Sequence, residues 1–357
     1  MNRFGNDVNV NLWGSSHGPY VGCIIEGLGG GLEVDSELMR EDMSLRMPKG
    51  RIGTQRREKD EVLFASGITE GVTNGDPISI MIANQDVRSR DYEQFLRRPR
   101  PGHADMTAVL RNPCHDIRGG GMYSGRLTAP LVAAGSLCRM ILRDDCVSVS
   151  GFSRAIGGVV DHSDRDPEEV VASRGFDTRA CTSSLDSAME EAIIKAGSDG
   201  DSVGGVVECR IDGLPAGVGE PWFDTFDGEL AKAMFSIPAM RAFEIGDGIW
   251  SSGSRGSENN DPFTIKGREI GTESNHHGGV LGGRSSGMPL VFRCFFKPTP
   301  SISKMQRTVD LTNLEETSIE IEGRHDPCIV PRAVAVVEAM ACIVTLDLMK
   351  RGGFIEH

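Results

Sequence analysis

The stretch PRAVAVVEAMACIVTLDLMKRG, residues 331–352, is a long apolar run that begins with a proline and ends with a glycine. Pro331 suits the first turn of a helix because the N–H that it lacks would have no intrahelical partner there. Gly352 is typical of the position just past a helix end. Two acidic residues interrupt the run, which argues against a membrane span. The sequence therefore predicts a final helix over 331–350.

Other segments alternate between helical and strand patterns. Apolar residues recur at spacings of three and four along the predicted helices, which cover 37–47 (capped by Asp35 or Ser36), 126–143 and 184–196 (opened by Ser183). Short apolar runs predict strands at 22–25, 78–82, 203–211 and 290–296. Because helices and strands do not alternate regularly, the order favours layered α+β architecture over a doubly wound parallel sheet.

No linker-like or low-complexity stretch divides the 357 residues, so we expect a single domain over 1–357. Long polar, glycine-rich segments separate the predicted elements. These segments are 45–60, 84–104, 245–289 and 297–326. Loops of this length are uncommon unless they are functional, so the chemistry is expected there.

Composition narrows the function classes. The formal net charge of −13 and the 6% aromatic content argue against a nucleic-acid partner. Nine scattered cysteines without a Cys-x-x-Cys pair, and a polar N-terminus, favour a cytoplasmic protein without a membrane partner. An acidic chain that binds an anion must concentrate arginines locally, and the segments 51–57 and 97–100 do so. A solvated basic loop is the alternative interpretation of each.

Two histidines lie in constrained turns. His17 stands within Gly14-Ser15-Ser16-His17-Gly18, next to a hydroxyl that allows a proton relay. His103 follows two prolines and a glycine in the segment 98–105, where Asp105 is placed to orient an imidazole. Either segment alone is also compatible with a structural turn.

Three further segments have the composition of anion sites. Residues 118–126 place a run of glycines before a helix, where backbone N–H groups attract anions. Residues 281–283 and 297–301 combine a glycine turn with a lysine and hydroxyls, and 324–328 combine a cation with a carboxylate. Structural turns and a helix-capping ion pair are the alternatives. No spacing indicates a metal site. The residues alone suggest an enzyme for a phosphorylated substrate with a phosphorylated cofactor.

In this order, the segments 14–27, 98–105, 118–137, 244–248 and 324–340 resemble the motifs of the chorismate synthase family, and the resemblance covers nearly the whole chain. It implies elimination of phosphate from the small-molecule substrate 5-enolpyruvylshikimate 3-phosphate to give chorismate. That reaction needs reduced FMN without net redox change, because the flavin lends an electron and recovers it. The resemblance also implies helices sandwiched between antiparallel sheets and a homotetramer. Some members reduce their flavin with NADPH.

Roles carry over from the family by position. His17 matches the proton donor to departing phosphate, His103 the histidine beside the flavin, and Asp326 the carboxylate that handles the flavin N5 proton, while Ser16 and Ser124 match relay hydroxyls. The expected substrate clamps are Arg46, Arg51, Arg57, Arg126 and Arg324. The expected FMN positions are Met122, Tyr123, Ser124, Pro238, Ala239, Gly282, Lys297, Pro298, Thr299, Pro300, Ser301 and Arg324.

The chain departs from the family pattern near the flavin. Ser15 stands for an acidic residue, Met122-Tyr123 for Arg-Ser, Leu127 for Glu and Arg241-Ala242 for Lys-Gly. Losing a cation at 122 weakens FMN phosphate binding unless Arg241 offsets it. Two further hypotheses follow: a flavin-binding homologue with little lyase activity, and a flavin oxidoreductase with its own substrate.

Overall fold

The computed structural model of the chain describes residues 2–47, 51–53, 60–85, 92, 94–267, 269–321 and 325–355. Its α-helices are α1 (Ser36–Arg46), α2 (Gln94–Arg97), α3 (Asp105–Arg111), α4 (Thr128–Asp144), α5 (Pro167–Ala172), α6 (Ser183–Ser198), α7 (Phe226–Phe235), α8 (Gly256–Asn259) and α9 (Val330–Arg351). Short 3₁₀ turns cover Arg118–Tyr123, Gly125–Leu127, Ser173–Gly175 and Gly248–Gly253.

The strands fall into two large sheets and several small ones. They are β1 (Arg3–Phe4), β2 (Asn9–Gly14), β3 (Tyr20–Glu26), β4 (Gly30–Glu33), β5 (Leu63–Ser66), β6 (Ile68–Thr69), β7 (Val72–Asn74), β8 (Ile78–Ala83), β9 (Ser148–Ile156), β10 (Val159–Val160), β11 (Gly205–Asp212), β12 (Met240–Ile245), β13 (Phe263–Lys266), β14 (Glu269–Thr272), β15 (Val280–Leu281), β16 (Arg284–Ser285), β17 (Leu290–Phe296), β18 (Gln306–Asp310) and β19 (Glu315–Ile319).

The two large sheets enclose a helical layer. The first sheet has the order β1-β2-β3-β8-β5 and the second β10-β9-β11-β17-β12, with antiparallel pairing of the neighbouring strands in both. Helix α4 packs on β3 and β8, α9 packs on β9 and β11, and the two helices pack on each other. The expected α+β sandwich, with helices between antiparallel sheets, is confirmed. Among the described helices, none has both the length and the apolar composition needed to cross a bilayer.

The final helix is the centre of this sandwich. Nearly all its side chains from Val330 to Met349 are buried, including the two acidic residues that interrupt the apolar run. Glu338 pairs with Arg139 at 2.8 Å and with Arg174 at 3.0 Å. Asp347 accepts backbone N–H groups from residues 6 and 8. Buried carboxylates are tolerated here because each has charged or N–H partners.

Most predicted element ends lie within two residues of the observed ones. Asp35 caps α1 by accepting the N–H groups of residues 37 and 38, and Gly352 follows α9. The cap of α6 is Thr182 rather than Ser183, since its hydroxyl accepts the N–H of Leu185. Helix α4 begins at residue 128 rather than 126, because Ser124 caps a separate 3₁₀ turn before it.

Two segments predicted as loops contain strands. Residues 245–289 include the hairpin β13–β14, and residues 297–326 include the hairpin β18–β19. The apolar side chains of β13–β14 at 263, 265 and 270 are more than 70% exposed. Without a buried face, such a hairpin lacks the alternation that identifies a strand in sequence.

Helices α4 and α9 cross at Gly135, and a side chain there is expected to destabilise the protein. A Cβ on Gly135 would lie 2.5 Å from the Cα of Ala339, so the helices would have to separate. We expect Gly135→Ala to lower the free energy of unfolding by about 1–3 kcal/mol, measured by urea denaturation.

The matched control is Gly197→Ala in α6, where a new Cβ would lie 3.5 Å from Pro327 in ordinary contact. It should be neutral or stabilising by up to about 1 kcal/mol, because alanine favours helix more than glycine does. Equal effects of the two substitutions would contradict the assigned crossing point.

Candidate active site

The side-chain amide of Asn84 ties the turn that carries His17 to a distant segment. Asn84, at the end of β8, donates to the carbonyl oxygens of Ser15 at 3.0 Å and Gly18 at 2.7 Å. The side-chain oxygen of Asn84 accepts from Nε of Arg126 at 3.0 Å. The His17 ring lies edge-on to Tyr92, with the ring centroids 5.0 Å apart. The His17 imidazole is therefore positioned by its contact with Tyr92 and by the hydrogen bonds that hold its own turn.

The glycine-rich turn lies directly against His17. Gly119, Gly120 and Gly121 all have positive φ angles, which a residue with a side chain rarely adopts. The buried hydroxyl of Ser16 donates to the carbonyl of Gly119 at 2.8 Å. A Cβ on Gly119 would lie 2.6 Å from Nε2 of His17, so only glycine allows this approach.

His103 is oriented by a buried carboxylate, as the sequence predicted for Asp105. Nδ1 of His103 lies 2.6 Å from Asp105, and Arg100 binds the same carboxylate through two nitrogens at 2.7 and 2.8 Å. Burial alone would raise the pKa of Asp105, but hydrogen bonds from Arg100 and His103 hold it well below its usual range. The ionised Asp105 thus faces Nδ1 of His103, and Nη2 of Arg100 lies 3.1 Å from Nδ1 and 3.3 Å from Nε2 of the same ring.

The same glycine turn also meets His103. A Cβ on Gly120 would lie 3.9 Å from Nε2 of His103 and 3.7 Å from Cβ of Ser124. His17 and His103, 86 residues apart in sequence, thus rest on the adjacent residues Gly119 and Gly120. Two imidazoles brought to one turn provide two proton-transfer groups in one site.

The lysine and hydroxyl segment 297–301 lies beside His103. The ammonium of Lys297 donates to the carbonyl of Gly102, and Arg100 donates to the Ser301 hydroxyl at 3.1 Å. Burial and the charge of Arg241 both lower the pKa of Lys297. Two cations close enough to repel each other are a suitable place for an anion.

Backbone geometry connects this segment to Ala239. The N–H of Lys297 donates to the Ala239 carbonyl at 3.0 Å, and Ala239 has a φ of +70°. A non-glycine residue in this left-handed region is uncommon and is often found at functional sites. The strained residue thus lies at an expected FMN position.

Arginines on the opposite side surround a buried aspartate. Asp60 forms ion pairs with both Arg46 and Arg126. Burial alone would raise the pKa of Asp60, but the two guanidinium groups hold it below its usual range. The pKa of Arg46 is lowered, first by burial and then by cations that include Arg332. Arg46 and Arg126 therefore share the Asp60 carboxylate, and Arg332 lies close enough to Arg46 for their charges to repel.

Asp326 closes the arrangement at the start of α9. It pairs with Arg332, whose Nε donates to the backbone carbonyl of Arg46 at 2.9 Å. The Asp326 carbonyl accepts from the Thr299 hydroxyl at 2.9 Å. Contacts now form a closed circuit through 15–18, 118–126, 60, 46, 326–332, 297–301 and 100–105. We call this circuit the site ring.

Most predicted site residues belong to the site ring. The predicted residues that are not part of the ring as described are Arg51, Arg57, Pro238, Ala239, Gly282 and Arg324. Arg51 is exposed, while Arg57 and Arg324 lie outside the described residues. Gly282 turns between β15 and β16, and the next residue packs against Glu220 and Thr225 instead. Met122 and Tyr123 are 38% and 46% exposed beside the glycine turn, and Pro238 and Pro298 are exposed.

The sequence missed several members of the ring. Asp60 and Arg332 had no motif, and their partners lie 14 to 66 and 6 to 286 residues away. His115 packs edge-on to Tyr123 at 5.4 Å and lies against Gly121, which adds a third imidazole at the turn. Its position four residues before the glycine run was a usable signal. For Asp60 and Arg332 only the fold supplies the pairing.

Acidic pH should remove the stabilisation that Asp105 contributes to the part of the site ring that contains His103. The folded-state pKa of Asp105 lies below its value in the unfolded chain, about 3.9. Its stabilisation is therefore complete above that value and is lost as the pH falls through the folded-state pKa. We expect Asp105→Asn to cost about 3 kcal/mol in unfolding free energy at pH 7, with the difference shrinking below pH 4.

Urea titrations at a series of pH values measure this, and Asp201→Asn, at an exposed carboxylate paired with Lys304, is the control. A pH-independent difference between wild type and Asp105→Asn would contradict the assignment.

Known proteins of one family resemble this chain in sequence and in fold. The chorismate synthase family matches residues 8–349. The chain is 46% identical to a chorismate synthase of Archaeoglobus fulgidus over 99% of each chain. It is 44% identical to one of Dehalococcoides mccartyi, over 99% of this chain and 98% of that one. A crystal structure of chorismate synthase superposes with a TM-score of 0.78 at 26% identity, covering 98% of this chain and 93% of that one.

Proposed function

The chain belongs to the chorismate synthase family, and from that premise we propose that the site ring is its reaction site and binds reduced FMN beside the substrate. The enzyme is a phosphate-eliminating lyase that converts 5-enolpyruvylshikimate 3-phosphate to chorismate in the shikimate pathway. The observation that supports this site most strongly is the placement of His17 and His103 on Gly119 and Gly120. Proton transfers at the two ends of the elimination need two such groups in one site.

The residues divide the work by position. His17, held by Ser16 and Tyr92, donates a proton to the departing phosphate. His103 keeps Nδ1 on Asp105 and presents Nε2 to the reacting centre. Arg46 and Arg126 hold the anionic substrate from the Asp60 side, because guanidinium groups form charged hydrogen bonds with phosphate and carboxylate oxygens. Ser124 remains a predicted relay hydroxyl, and its oxygen accepts the N–H of Arg126.

Reduced FMN, when bound, would supply an electron to the elimination and recover it, so no net redox change results. The described residues fit its phosphate. Lys297 and Arg241 repel each other without an intervening anion, and Ser301 and Thr299 place hydroxyls alongside. A Cβ on Gly125 would meet no atom within 4 Å, which leaves open space at the start of the α4 region. The positive charge of Arg241 replaces the one that is absent at position 122, where this chain has methionine.

Asp326 has a structural role and a role near the flavin, and its contacts support each of them. Its ion pair with Arg332 ties the 325–329 connector to the first turn of α9, as expected for a structural pair. Its neighbour Thr299 belongs to the FMN-phosphate segment, which supports the predicted role near the flavin. We propose that Arg332 orients Asp326 for that role.

We also propose that residues 1–357 form one domain, because one apolar cluster is continuous from both large sheets through α4 and α9. A homotetramer in the cytoplasm is proposed from the family. Large apolar side chains at the surface, including Trp222, Phe223 and Trp250, are ones that partner copies would cover. Sedimentation measurements on the purified chain test the assembly.

The FMN assignment predicts a specific loss of affinity. Lys297→Met should weaken binding of FMN by about tenfold or more, because a charged hydrogen bond to the phosphate is removed. Fluorescence titration of FMN measures this. Lys304→Met is the matched control, since Lys304 is exposed and pairs with Asp201.

Unchanged affinity in Lys297→Met would place the FMN phosphate elsewhere. Equal weakening in both variants would mean that only the general electrostatic field matters.

A further inference from the structure

Outside the site ring, three side chains between residues 261 and 286 contact one another in the order serine, histidine, aspartate. The Ser286 hydroxyl lies 2.8 Å from Nε2 of His277, and Nδ1 of His277 contacts the Asp261 carboxylate. His277 and Asp261 are nearly buried, with side chains 8% and 5% exposed, whereas Ser286 is partly exposed. The order and atoms of these contacts are those of a hydrolase triad.

The carboxylate fixes the imidazole in the required tautomer. Asp261 accepts from the Ser274 hydroxyl at 2.6 Å and from the N–H groups of His276 and His277 at 2.8 and 2.9 Å. Burial alone would raise the pKa of Asp261, but these bonds hold it well below its usual range. An ionised Asp261 keeps a proton on Nδ1 of His277, so Nε2 is the acceptor and Ser286 is the donor.

A purely structural lock would need less than this. The bonds from Ser274 and the two backbone N–H groups already anchor the 274–277 loop to Asp261. The Ser286 contact joins the 286–288 turn to this loop, and it also aims Nε2 of His277 at a hydroxyl that is partly exposed. Activation of a hydroxyl by an oriented base is the arrangement that nucleophilic catalysis requires.

The turn around the serine carries two neighbouring hydroxyls with different partners. Residues 283–287 have the pattern Gly-x-Ser-x-Gly, but its central Ser285 is buried and bonded to the Pro215 carbonyl and the Val218 N–H. The next hydroxyl, Ser286, faces the imidazole. Gly287 then has a φ of +85°, and a Cβ there would come no nearer than 3.6 Å to Ala216. The N–H of Met288 donates to the Ser286 hydroxyl at 3.3 Å, which orients that hydroxyl.

We propose that Ser286, His277 and Asp261 form a second catalytic centre that hydrolyses small activated carboxylic esters. Ser286 Oγ forms a bond to the ester carbonyl carbon while His277 Nε2 takes the hydroxyl proton. The carbon–oxygen bond to the alcohol then breaks, and His277 returns the proton to the alcohol. Water, activated by the same imidazole, releases the carboxylic acid and restores the serine.

A fluorophosphonate probe tests this on the full-length protein, with peptide mass spectrometry to locate the label. Wild type should be labelled at Ser286, and Ser286→Ala should lose that label. His277→Gln should slow labelling at least a hundredfold. Ser251→Ala is the control, because this exposed hydroxyl donates to the Gly248 carbonyl in its own turn, and it should not change labelling.

Two readouts separate reactivity from folding. Chorismate formation should be unchanged in Ser286→Ala, and urea-unfolded wild type should lose the label, since the relay exists only in the folded chain. Hydrolysis of p-nitrophenyl acetate should fall with the label. A wild-type protein without label at Ser286, or with equal labelling when folded and unfolded, would overturn the proposal without reference to any variant.

Discussion

Replacement of His103 by alanine should slow chorismate formation about 10²- to 10⁴-fold, the range for a positioned acid–base group. The expected loss is large because the imidazole of His103 is oriented by its bond to Asp105 and rests on Gly120. Initial rates with reduced FMN under anaerobic conditions measure the effect.

Folding should be spared in this variant, because Arg100 still pairs with Asp105 through two nitrogens. His162→Ala, at an exposed histidine outside the site ring, is the matched control and should retain normal turnover. Near-normal turnover in His103→Ala would remove His103 from the reaction.

Asp60→Asn should have the largest effect on stability, about 3–5 kcal/mol, because it removes the carboxylate shared by the buried Arg46 and the partly buried Arg126. Arg46 and Asp60 side chains are only 5% and 2% exposed, so water does not compensate for the loss. Turnover should fall as well, since Arg126 also orients Asn84 and through it the turn of His17.

Urea denaturation at pH 7 measures the stability change. Glu316→Gln is the control, because Glu316 pairs with Arg307 at the surface and both side chains are more than 80% exposed. Its unfolding midpoint should hardly move. A loss below about 1 kcal/mol in Asp60→Asn would mean that the arginines have another counter-charge.

Local chemistry explains what the sequence predicted. The bounds of α9 follow from Pro331 and Gly352, and the start of α1 follows from Asp35, because caps act within one turn. The strand at 290–296 was found from its apolar run, which in the structure alternates between buried and half-buried side chains. The turns of His17 and His103 were likewise recognised from adjacent glycines and prolines.

The contacts that the sequence did not predict join residues that are far apart in the chain. Arg100 and Ser301 are 201 residues apart, and Arg332 and Arg46 are 286 apart, so no spacing rule connects them. Asp60 stood in a segment that looked like a basic loop, although the two arginines it joins were both predicted. The Ser286 relay has the same origin, since Asp261 and Ser286 come from opposite ends of a segment predicted as loop.

The most direct test of the site ring is a single anaerobic assay with chemically reduced FMN and 5-enolpyruvylshikimate 3-phosphate. Wild type should release chorismate and phosphate in equal amounts over many turnovers per flavin, without flavin oxidation, and should be inactive with oxidised FMN. His103→Ala should bind the same FMN and turn over at least a hundredfold more slowly. Tight binding of reduced FMN by the wild type without chorismate formation would contradict the account.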